Sequence, residues 1–230
     1  MPRSGKADRS RGPLTIPADS FILMNICQDF VFPANSRYGA ADDKAMKLLL
    51  HICCGPCAVY PVEILGAAGH RVVGYFDNPN IHPYQEYLRR VQALEDFAGQ
   101  AGLPVIWNKD YDIEEFFRVT AFREDKRCRF CYQLRLDRAA RMARDGGFEA
   151  FSTTLLYSRY QRHDIIQEVA RRAAAEAGVV FYYEDFRRGW AEGIARSKAM
   201  RLYRQSYCGC LFSERERSRQ PQKESQKKSS

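Results

Sequence analysis

The sequence predicts an α/β fold in which a mostly parallel sheet is flanked by helices. Three observations support this fold class: a short apolar run ahead of the first cysteines, regular alternation of strand and helix signals after it, and glycines that follow several helical runs. Strands that alternate with helices of this length are typical of parallel sheets. With 230 residues and 45% hydrophobic content, the chain can bury one sizeable core.

The first elements form one βαβ unit. Residues 47–52 are predicted to be a buried strand, 59–68 a helix ended by Gly69, and 71–76 a second strand. The later predicted helices span 84–100, 113–120, 129–144, 162–177 and 190–204, and the later strands span 105–107, 150–154 and 179–183. In such a Rossmann-like sheet, ligands bind beyond the carboxyl ends of the strands, which is where the first cysteines fall.

The two ends of the chain differ from this central region. Residues 1–45 are predicted to be an irregular extension, residues 46–213 the folded domain, and residues 214–230 a disordered basic tail without core-forming periodicity. No apolar run approaches the roughly 20 residues of a membrane-spanning helix, and the N-terminus lacks the order of a secretory signal. We therefore expect a cytoplasmic protein without a membrane partner.

The net charge of +8 is unevenly distributed. Each end carries +3, so the middle of the chain carries only +2. Two local clusters, Arg123 to Arg144 and Arg187 to Arg204, are nevertheless net +5 each, and both lie near cysteines in the sequence. Such clusters are candidates for binding a polyanion such as RNA, although solvated helix faces explain them equally well.

Seven of the eight cysteines lie in three tight groups, and Cys27 stands alone in the extension. In a reducing compartment, clustered cysteines more often bind metal or carry out redox chemistry than form structural disulfides. Thiolate-rich sites favour zinc or iron–sulfur clusters. We therefore treat all seven as candidate metal ligands, namely Cys53, Cys54, Cys57, Cys128, Cys131, Cys208 and Cys210.

The number of thiols favours redox work over a structural zinc. One zinc ion needs four ligands, which leaves three cysteines without a role. Cys208 and Cys210 are separated by one residue and could close only a strained, labile disulfide, which suits transient redox cycling. Their alternative role as further metal ligands stays open.

Five motifs in order resemble the epoxyqueuosine reductase family QueH. They are CCGPC after the first strand, NPNIHPYQEY at 78–87, CRFCYQLRL at 128–136, TTLLYSRYQRHD at 153–164 and YCGCLFS at 207–213. The resemblance spans residues 46–213. It implies a two-electron reductive deoxygenation of epoxyqueuosine to queuosine at the wobble position of tRNA, with an unidentified electron donor.

The resemblance also implies roles for the cysteines. It makes Cys53, Cys54, Cys128 and Cys131 the ligands of a 4Fe-4S cluster, and Cys208 with Cys210 a redox pair. Family members place either a thiol or a carboxylate at the position of Cys57, which implies a ligand to a second, mononuclear iron.

Other candidate residues follow from the chemistry. Cleavage of a carbon–oxygen bond needs a proton donor, and the candidates are His82, Tyr84 and His163. Tyr84, Tyr157 and Tyr160 are predicted to stack on a base splayed out of the anticodon loop. The predicted substrate-binding set is completed by Asn80, Gln161, Arg135 and Arg138. Asp185 and Arg187 are predicted either to order the site or to be an ordinary surface pair.

Three other functions remain open from the sequence. A tRNA thiolation enzyme would need a phosphate-binding loop after the first strand, but that position is CCGPC. A zinc-stabilised, non-catalytic RNA-binding module would not need the additional cysteines. A thiol–disulfide oxidoreductase using Cys128 and Cys131 would leave Cys53 and Cys54 without a role.

Overall fold

A computed structural model describes residues 45–219 of the chain. Its five strands form one sheet in the order β3-β2-β1-β4-β5, and every neighbouring pair is parallel. The predicted Rossmann-like sheet is therefore confirmed. The strands are β1 (Lys47–His51), β2 (Arg71–Phe76), β3 (Val105–Trp107), β4 (Ala150–Thr153) and β5 (Val180–Phe181).

Seven α-helices accompany this sheet in the described residues. α1 packs against both α2 and α6, and α4 packs against α5, so the helices form two groups. Their bounds are α1 (Gly55–Ala67), α2 (Tyr84–Ala101), α3 (Ile113–Thr120), α4 (Arg127–Asp145), α5 (His163–Ala177), α6 (Trp190–Ala199) and α7 (Leu211–Arg219). None of the helices in residues 45–219 is both long and apolar enough to cross a membrane.

The centre of the sheet is the core of the protein. Leu48, Leu49 and Leu50 of β1 are fully buried, as expected for a parallel strand covered on both faces. The chain leaves β1 toward β2 and β3 and later returns to add β4 on the opposite side of β1. This reversal places a topological switch point between β1 and β4, where open α/β sheets bind ligands.

One buried histidine joins three strands at that switch point. His51, the last residue of β1, bonds through Nδ1 to Thr153 Oγ1 at 2.9 Å and through Nε2 to the Asp77 carbonyl at 3.4 Å. Burial, together with the charge of Arg135, lowers the pKa of His51 to about 3. The ring is therefore neutral, and it fixes the carboxyl end of β1 relative to β4 and the end of β2.

Three elements differ from the sequence predictions. α1 begins at Gly55 instead of residue 59, since Pro56 fits the first turn of a helix. The strand predicted over 179–183 contains only Val180–Phe181 at the sheet edge. α6 ends at Ala199 instead of residue 204, because Arg201 adopts a positive φ of 55° that a helix does not continue through.

The start of the predicted tail is also different. Residues 211–219 form α7, although we predict disorder from residue 214 onward. Arg127 accounts for part of this order, since it pairs with Glu216 and lies over the Phe212 ring at 5.3 Å. The predictions for residues 1–44, including Cys27, and for residues 220–230 lie outside the described residues.

Candidate metal centre

Three cysteine sulfurs converge where β1 ends and α1 begins. The Sγ atoms of Cys53, Cys54 and Cys57, hereafter the thiol triad, lie within 4.8 Å of one another. Cys54 and Cys57 are buried, and Cys53 is partly exposed. Within residues 45–219, the triad is the one group of three or more potential metal-ligating side chains that approach this closely.

Local packing brings the triad together. Cys54 is the extended residue directly before α1, so the chain turns sharply between Cys53 and Cys57. A Cβ atom on Gly55 would lie 2.1 Å from the carbonyl oxygen of Ala93 in α2. Glycine is therefore needed here because the first turn of α1 touches the backbone of α2.

Polar side chains from two distant segments contact the triad sulfurs. Thr154, directly after β4, accepts a hydrogen bond from the Cys53 amide at 3.2 Å and donates to the Cys53 sulfur at 3.6 Å. Gln205 donates from Nε2 to Cys57 Sγ at 3.4 Å and accepts from Cys54 Sγ at 3.3 Å. Sequence reasoning missed Gln205, whose sole signal is its place just ahead of the last cysteine motif.

The triad thiols differ strongly in acidity. Hydrogen bonding with Cys54 and Cys57 holds the pKa of Cys53 well below its usual range. Burial raises the pKa of Cys54 to about 12, and hydrogen bonding with Cys53 raises the pKa of Cys57. A single thiolate supported by two neutral thiols is a site where a soft cation can replace the two remaining protons.

The other four cysteines lie in two further pairs. Cys128 and Cys131 lie near the start of α4, and Cys208 and Cys210 lie in the loop before α7. Arg127, the first residue of α4, lies over the Phe212 ring just after this loop at 5.3 Å, so the loop and the start of α4 are close together. Burial raises the pKa of Cys131 to about 12, and the charges of Cys208 and Cys210 also raise it.

A buried arginine lies close to Cys53 of the triad and to Cys131 of α4. Arg135 donates from Nη1 to Cys131 Sγ at 3.9 Å and from Nη2 to Asn78 Oδ1 at 2.7 Å. Its charge lowers the pKa of both Cys53 and Cys131. The predicted contact between Arg135 and tRNA is unfavourable at this position, because the residue is only 2% exposed, and it stays a prediction.

The loop that carries Cys208 is held by residues that sequence reasoning missed. Arg90, buried in α2, donates to the carbonyl oxygens of Tyr207 and Cys208 and pairs with Glu86. Gly209 has a φ of 152°, and a Cβ there would lie 3.2 Å from Asn80 Nδ2. The predicted substrate residue Asn80 therefore packs against this loop, and its buried Oδ1 has no hydrogen-bond partner in the described part of the chain.

The three candidate proton donors have different surroundings. His82 stacks on Phe117 at 5.1 Å between ring centroids, bonds to the Pro79 carbonyl and has its pKa lowered to about 4 by burial. Tyr84 is half exposed and stacks on Tyr87. Both rings therefore belong to an aromatic cluster around α2 and α3.

His163 lies on the other side of the sheet, at the start of α5. It contacts the Tyr183 hydroxyl through Nε2 at 3.2 Å, and its buried Nδ1 has no hydrogen-bond partner among residues 45–219. Burial, and then the charge of Arg187, lowers the pKa of His163. Arg187 itself pairs with Asp185 at 2.7 Å, which orders the start of the turn after β5. A catalytic role for His82, Tyr84 or His163 stays a prediction.

The three predicted base-stacking tyrosines differ in exposure, since Tyr84 is half exposed, Tyr157 is buried and Tyr160 is exposed. Tyr157 is 3% exposed, packs on Trp190 at 5.1 Å and donates to its carbonyl, so its ring has no open face for a base. Tyr160 is 84% exposed and meets the edge of Trp190. Gln161 lies beside it and donates to Cys208 Sγ at 3.1 Å, which places this segment at the mouth of the site.

The basic face of α4 is largely neutralised by carboxylates from elsewhere in the chain. Arg138 pairs with Asp77 at 2.8 Å and also with Glu115. Arg129 pairs with Glu168 of α5. The predicted contact of Arg138 with tRNA is therefore unfavourable, because two carboxylates already occupy its guanidinium.

A doubly wound α/β sheet with three convergent thiols at its switch point defines a protein of the Rossmann-like class whose cysteine triad could hold a metal ion. Comparison with known sequences then identifies the family. The family model for epoxyqueuosine reductase QueH matches residues 48–216. The chain belongs to the epoxyqueuosine reductase QueH family, so the resemblance seen in the five motifs is confirmed.

Several curated relatives with the name epoxyqueuosine reductase QueH are similar over most of their length. The protein from Dehalococcoides mccartyi is 38% identical over 177 residues, which cover 77% of this chain and 97% of the relative. The protein from Thermotoga maritima is 36% identical over 180 residues, covering 74% and 91%. The protein from Acinetobacter baylyi is 36% identical over 185 residues, covering 77% and 84%.

Proposed function

We propose that this protein is an epoxyqueuosine reductase that acts on tRNA in the cytoplasm. The reaction removes the epoxide oxygen of epoxyqueuosine at the wobble position and leaves the cyclopentene of queuosine. Two electrons and two protons enter, and the oxygen leaves as water. The observation that carries this proposal is the convergence of the thiol triad at the switch point of a chain that belongs to a reductase family.

The donor set fits an iron-based cofactor. Thiolates are the usual ligands of iron–sulfur clusters, and the described chain carries seven free cysteines, three of which converge at the end of β1. We assign Cys53, Cys54, Cys128 and Cys131 to a 4Fe-4S cluster, and Cys57 to a second, mononuclear iron. When bound, these groups supply low-potential electrons and a Lewis acid for the leaving oxygen.

The position of Cys57 bears on this division. The structure groups Cys57 with Cys53 and Cys54, so a cluster and a second iron would share one compact set of sulfurs. The positive charge of Arg135 compensates the negative charge that several thiolates bring together. Hydrogen bonds from Thr154, Gln205 and Arg135 to sulfur set the orientation of the ligands and tune the potential of a bound cluster.

The protein's own residues also provide for electrons and protons. Two thiols at Cys208 and Cys210 hold two electrons and two protons, which is the number that the reaction consumes. Their oxidation to a disulfide would release both, and an external electron donor, not yet identified, would restore the thiols. Cys208 suits this role because its side chain is exposed at the mouth of the site.

The competing functions make different predictions about metal content or about the reaction on RNA. A zinc-stabilised RNA-binding module requires one zinc and no iron. A cluster-dependent tRNA thiolation enzyme requires transfer of sulfur to RNA, and a thiol–disulfide oxidoreductase requires no metal. Membership of a reductase family argues against each of them.

The experiment that tests the proposal is anaerobic purification followed by iron, sulfide and zinc analysis and an assay on tRNA that carries epoxyqueuosine. The product is detected as queuosine by mass spectrometry of the digested RNA. We expect brown protein with about four irons and sulfides, or more iron if the second site is filled. Cys54→Ala and Cys131→Ala should lose the cluster and the activity, whereas Arg172→Gln, on the surface of α5, should retain both.

Two results would contradict the proposal. Protein that contains one zinc after anaerobic reconstitution with iron and sulfide favours the RNA-binding module. Iron-loaded protein that leaves epoxyqueuosine unchanged with a strong chemical reductant excludes the reductase activity itself.

A further inference from the structure

Two short segments reach the cysteine sulfurs through a glutamine and carry arginines beside it. In the first, Arg159 to Arg162, Gln161 donates to Cys208 Sγ. In the second, Gln205 contacts Cys54 and Cys57 and directly follows Arg204. We call the three exposed guanidiniums beside these glutamines, those of Arg159, Arg162 and Arg204, the mouth arginines.

The mouth arginines differ from Arg129 and Arg138 of α4. No ion pair with a carboxylate involves any of the three in the described part of the chain, whereas Arg129 and Arg138 are paired. Arg162 lies near enough to Cys128 to lower the pKa of that thiol. The charges of Arg159 and Arg204 both lower the pKa of the Tyr157 hydroxyl. Three unpaired positive charges therefore lie around the cysteines and Tyr157.

An aromatic surface lies between these charges. Tyr160 projects into solvent with 84% of its surface exposed, and its ring meets the Trp190 edge at 5.7 Å between centroids. Arg159 lies over the Trp190 ring at 6.0 Å. Exposed aromatic rings next to free arginines are the combination that binds single-stranded RNA, in which bases stack and phosphates pair with guanidinium groups.

We propose that the mouth arginines bind the phosphates of the anticodon loop on both sides of the reacting nucleotide, and that Tyr160 stacks on a neighbouring unpaired base. This inference rests on the proposed function for the identity of the RNA. Of the two basic clusters that the sequence predicts as candidates, it favours the end of the Arg187 to Arg204 cluster over the α4 cluster, and it adds the arginines on either side of the predicted residues Tyr160 and Gln161.

The test measures binding of an unmodified anticodon stem-loop RNA to the anaerobically purified protein across a range of salt concentrations. The variant carries Arg159→Gln, Arg162→Gln and Arg204→Gln together. Each phosphate contact in single-stranded RNA contributes about 0.7 to the slope of log affinity against log salt, so we expect the slope to fall by about 2. At low salt we expect the dissociation constant to rise at least about tenfold.

A matched control carries the same change of charge elsewhere. Arg141→Gln, Arg144→Gln and Arg172→Gln remove three charges from the surface of α4 and α5 around Asp137. This control should keep the wild-type slope. Equal losses in the two triple variants, or an unchanged slope in the mouth variant, would overturn the proposal.

Tyr160 gives a second measurement. Tyr160→Leu should weaken RNA binding about tenfold through loss of stacking. Tyr160→Phe should bind the RNA like the wild type because the ring remains. Equal affinity of Tyr160→Leu and wild type would overturn the stacking part. Because the RNA is unmodified, absence of reductase activity in the wild type would contradict the proposed function and leave the binding result intact.

Discussion

Arg90 donates a hydrogen bond from Nη1 to the carbonyl oxygen of Cys208 at 2.8 Å, across 118 residues of sequence. The same guanidinium donates from Nη2 to the Tyr207 carbonyl and from Nε to Glu86, which also accepts from the Tyr203 hydroxyl. The loop that carries the proposed redox pair is therefore fixed by a buried ion pair in α2.

Replacement of Arg90 should destabilise the protein strongly. Arg90→Met leaves the buried Glu86 carboxylate without its partner, and loss of one member of a buried pair typically costs about 3–5 kcal/mol. Urea unfolding of the reduced protein measures the change. In the native state, alkylation of Cys208 by iodoacetamide, followed by mass spectrometry, should become faster because the loop loses two backbone hydrogen bonds.

Two further variants separate the loss of the buried ion pair from a general loss of charge. Glu86→Gln combined with Arg90→Met should recover part of the lost stability, because no unpaired carboxylate remains. Arg172→Met disrupts a surface pair with Asp137 and should cost about 1 kcal/mol or less. Similar losses in Arg90→Met and Arg172→Met would mean that the buried pair does not hold the loop.

Gly55 and Gly66, both in α1, form a natural matched pair. A Cβ at residue 55 would lie 2.1 Å from the Ala93 carbonyl oxygen, whereas a Cβ at residue 66 has nothing within 4 Å. We expect Gly55→Ala to cost about 1–3 kcal/mol of stability because α1 must shift from α2. Gly66→Ala should be neutral or stabilise by up to about 1 kcal/mol through helix propensity.

Metal content reports on the same pair. Cys54 and Cys57 flank Gly55, so a shift of α1 should lower the amount of iron that Gly55→Ala retains after anaerobic purification. Gly66→Ala should retain the wild-type amount. Equal stability and equal iron in both variants would show that the close approach of α1 to α2 does not shape the triad.

Much of the fold could be predicted because its signals are local. The apolar run of β1 and the glycines after the helices define the strands and most helix ends without knowledge of the tertiary structure. α7 could not be predicted, because its residues are polar and its order depends on Arg127, which is more than 80 residues away. The early end of α6 likewise depends on one left-handed residue, Arg201.

The candidate site was less predictable for a related reason. Spacing alone identified the cysteines, and the structure brings three of them together at the predicted edge of the sheet. The residues around the sulfurs come from distant segments, and glutamine has no distinctive signal, so Gln205 was missed. Charge counting gave α4 as one of two candidate basic clusters, but it could not include the carboxylates of Asp77 and Glu115 that neutralise Arg138.

His82 should make the protein less stable in mild acid. Burial lowers its pKa to about 4, whereas the unfolded side chain titrates near 6.5. Between these values the unfolded state binds one more proton, so the free energy of unfolding falls as the pH falls, by up to about 1.4 kcal/mol per pH unit. Above about pH 6.5 this contribution is fully present and constant.

Comparison of the wild type with His82→Gln isolates this effect. His51 and His163 also have lowered pKa values and remain in both proteins, so the difference between the two pH profiles reports on His82. Chemical unfolding at intervals between pH 4 and 7 should give a shallower profile for the variant. Parallel profiles would mean that the pKa of His82 is the same in the folded and unfolded protein.

Gln205 should strengthen metal binding by the thiol triad. Gln205→Leu keeps the approximate size of the side chain and removes its hydrogen bonds to both Cys54 and Cys57. Residues that orient metal ligands typically contribute about 10–100-fold in affinity, and we expect a loss in this range. Titration of the metal-free, reduced protein with Co²⁺ measures this affinity through the thiolate-to-cobalt absorption.

Gln92→Leu, which removes only a surface hydrogen bond to Asp96, should bind Co²⁺ like the wild type. Unchanged affinity in Gln205→Leu would show that the triad is organised by the backbone of α1 alone.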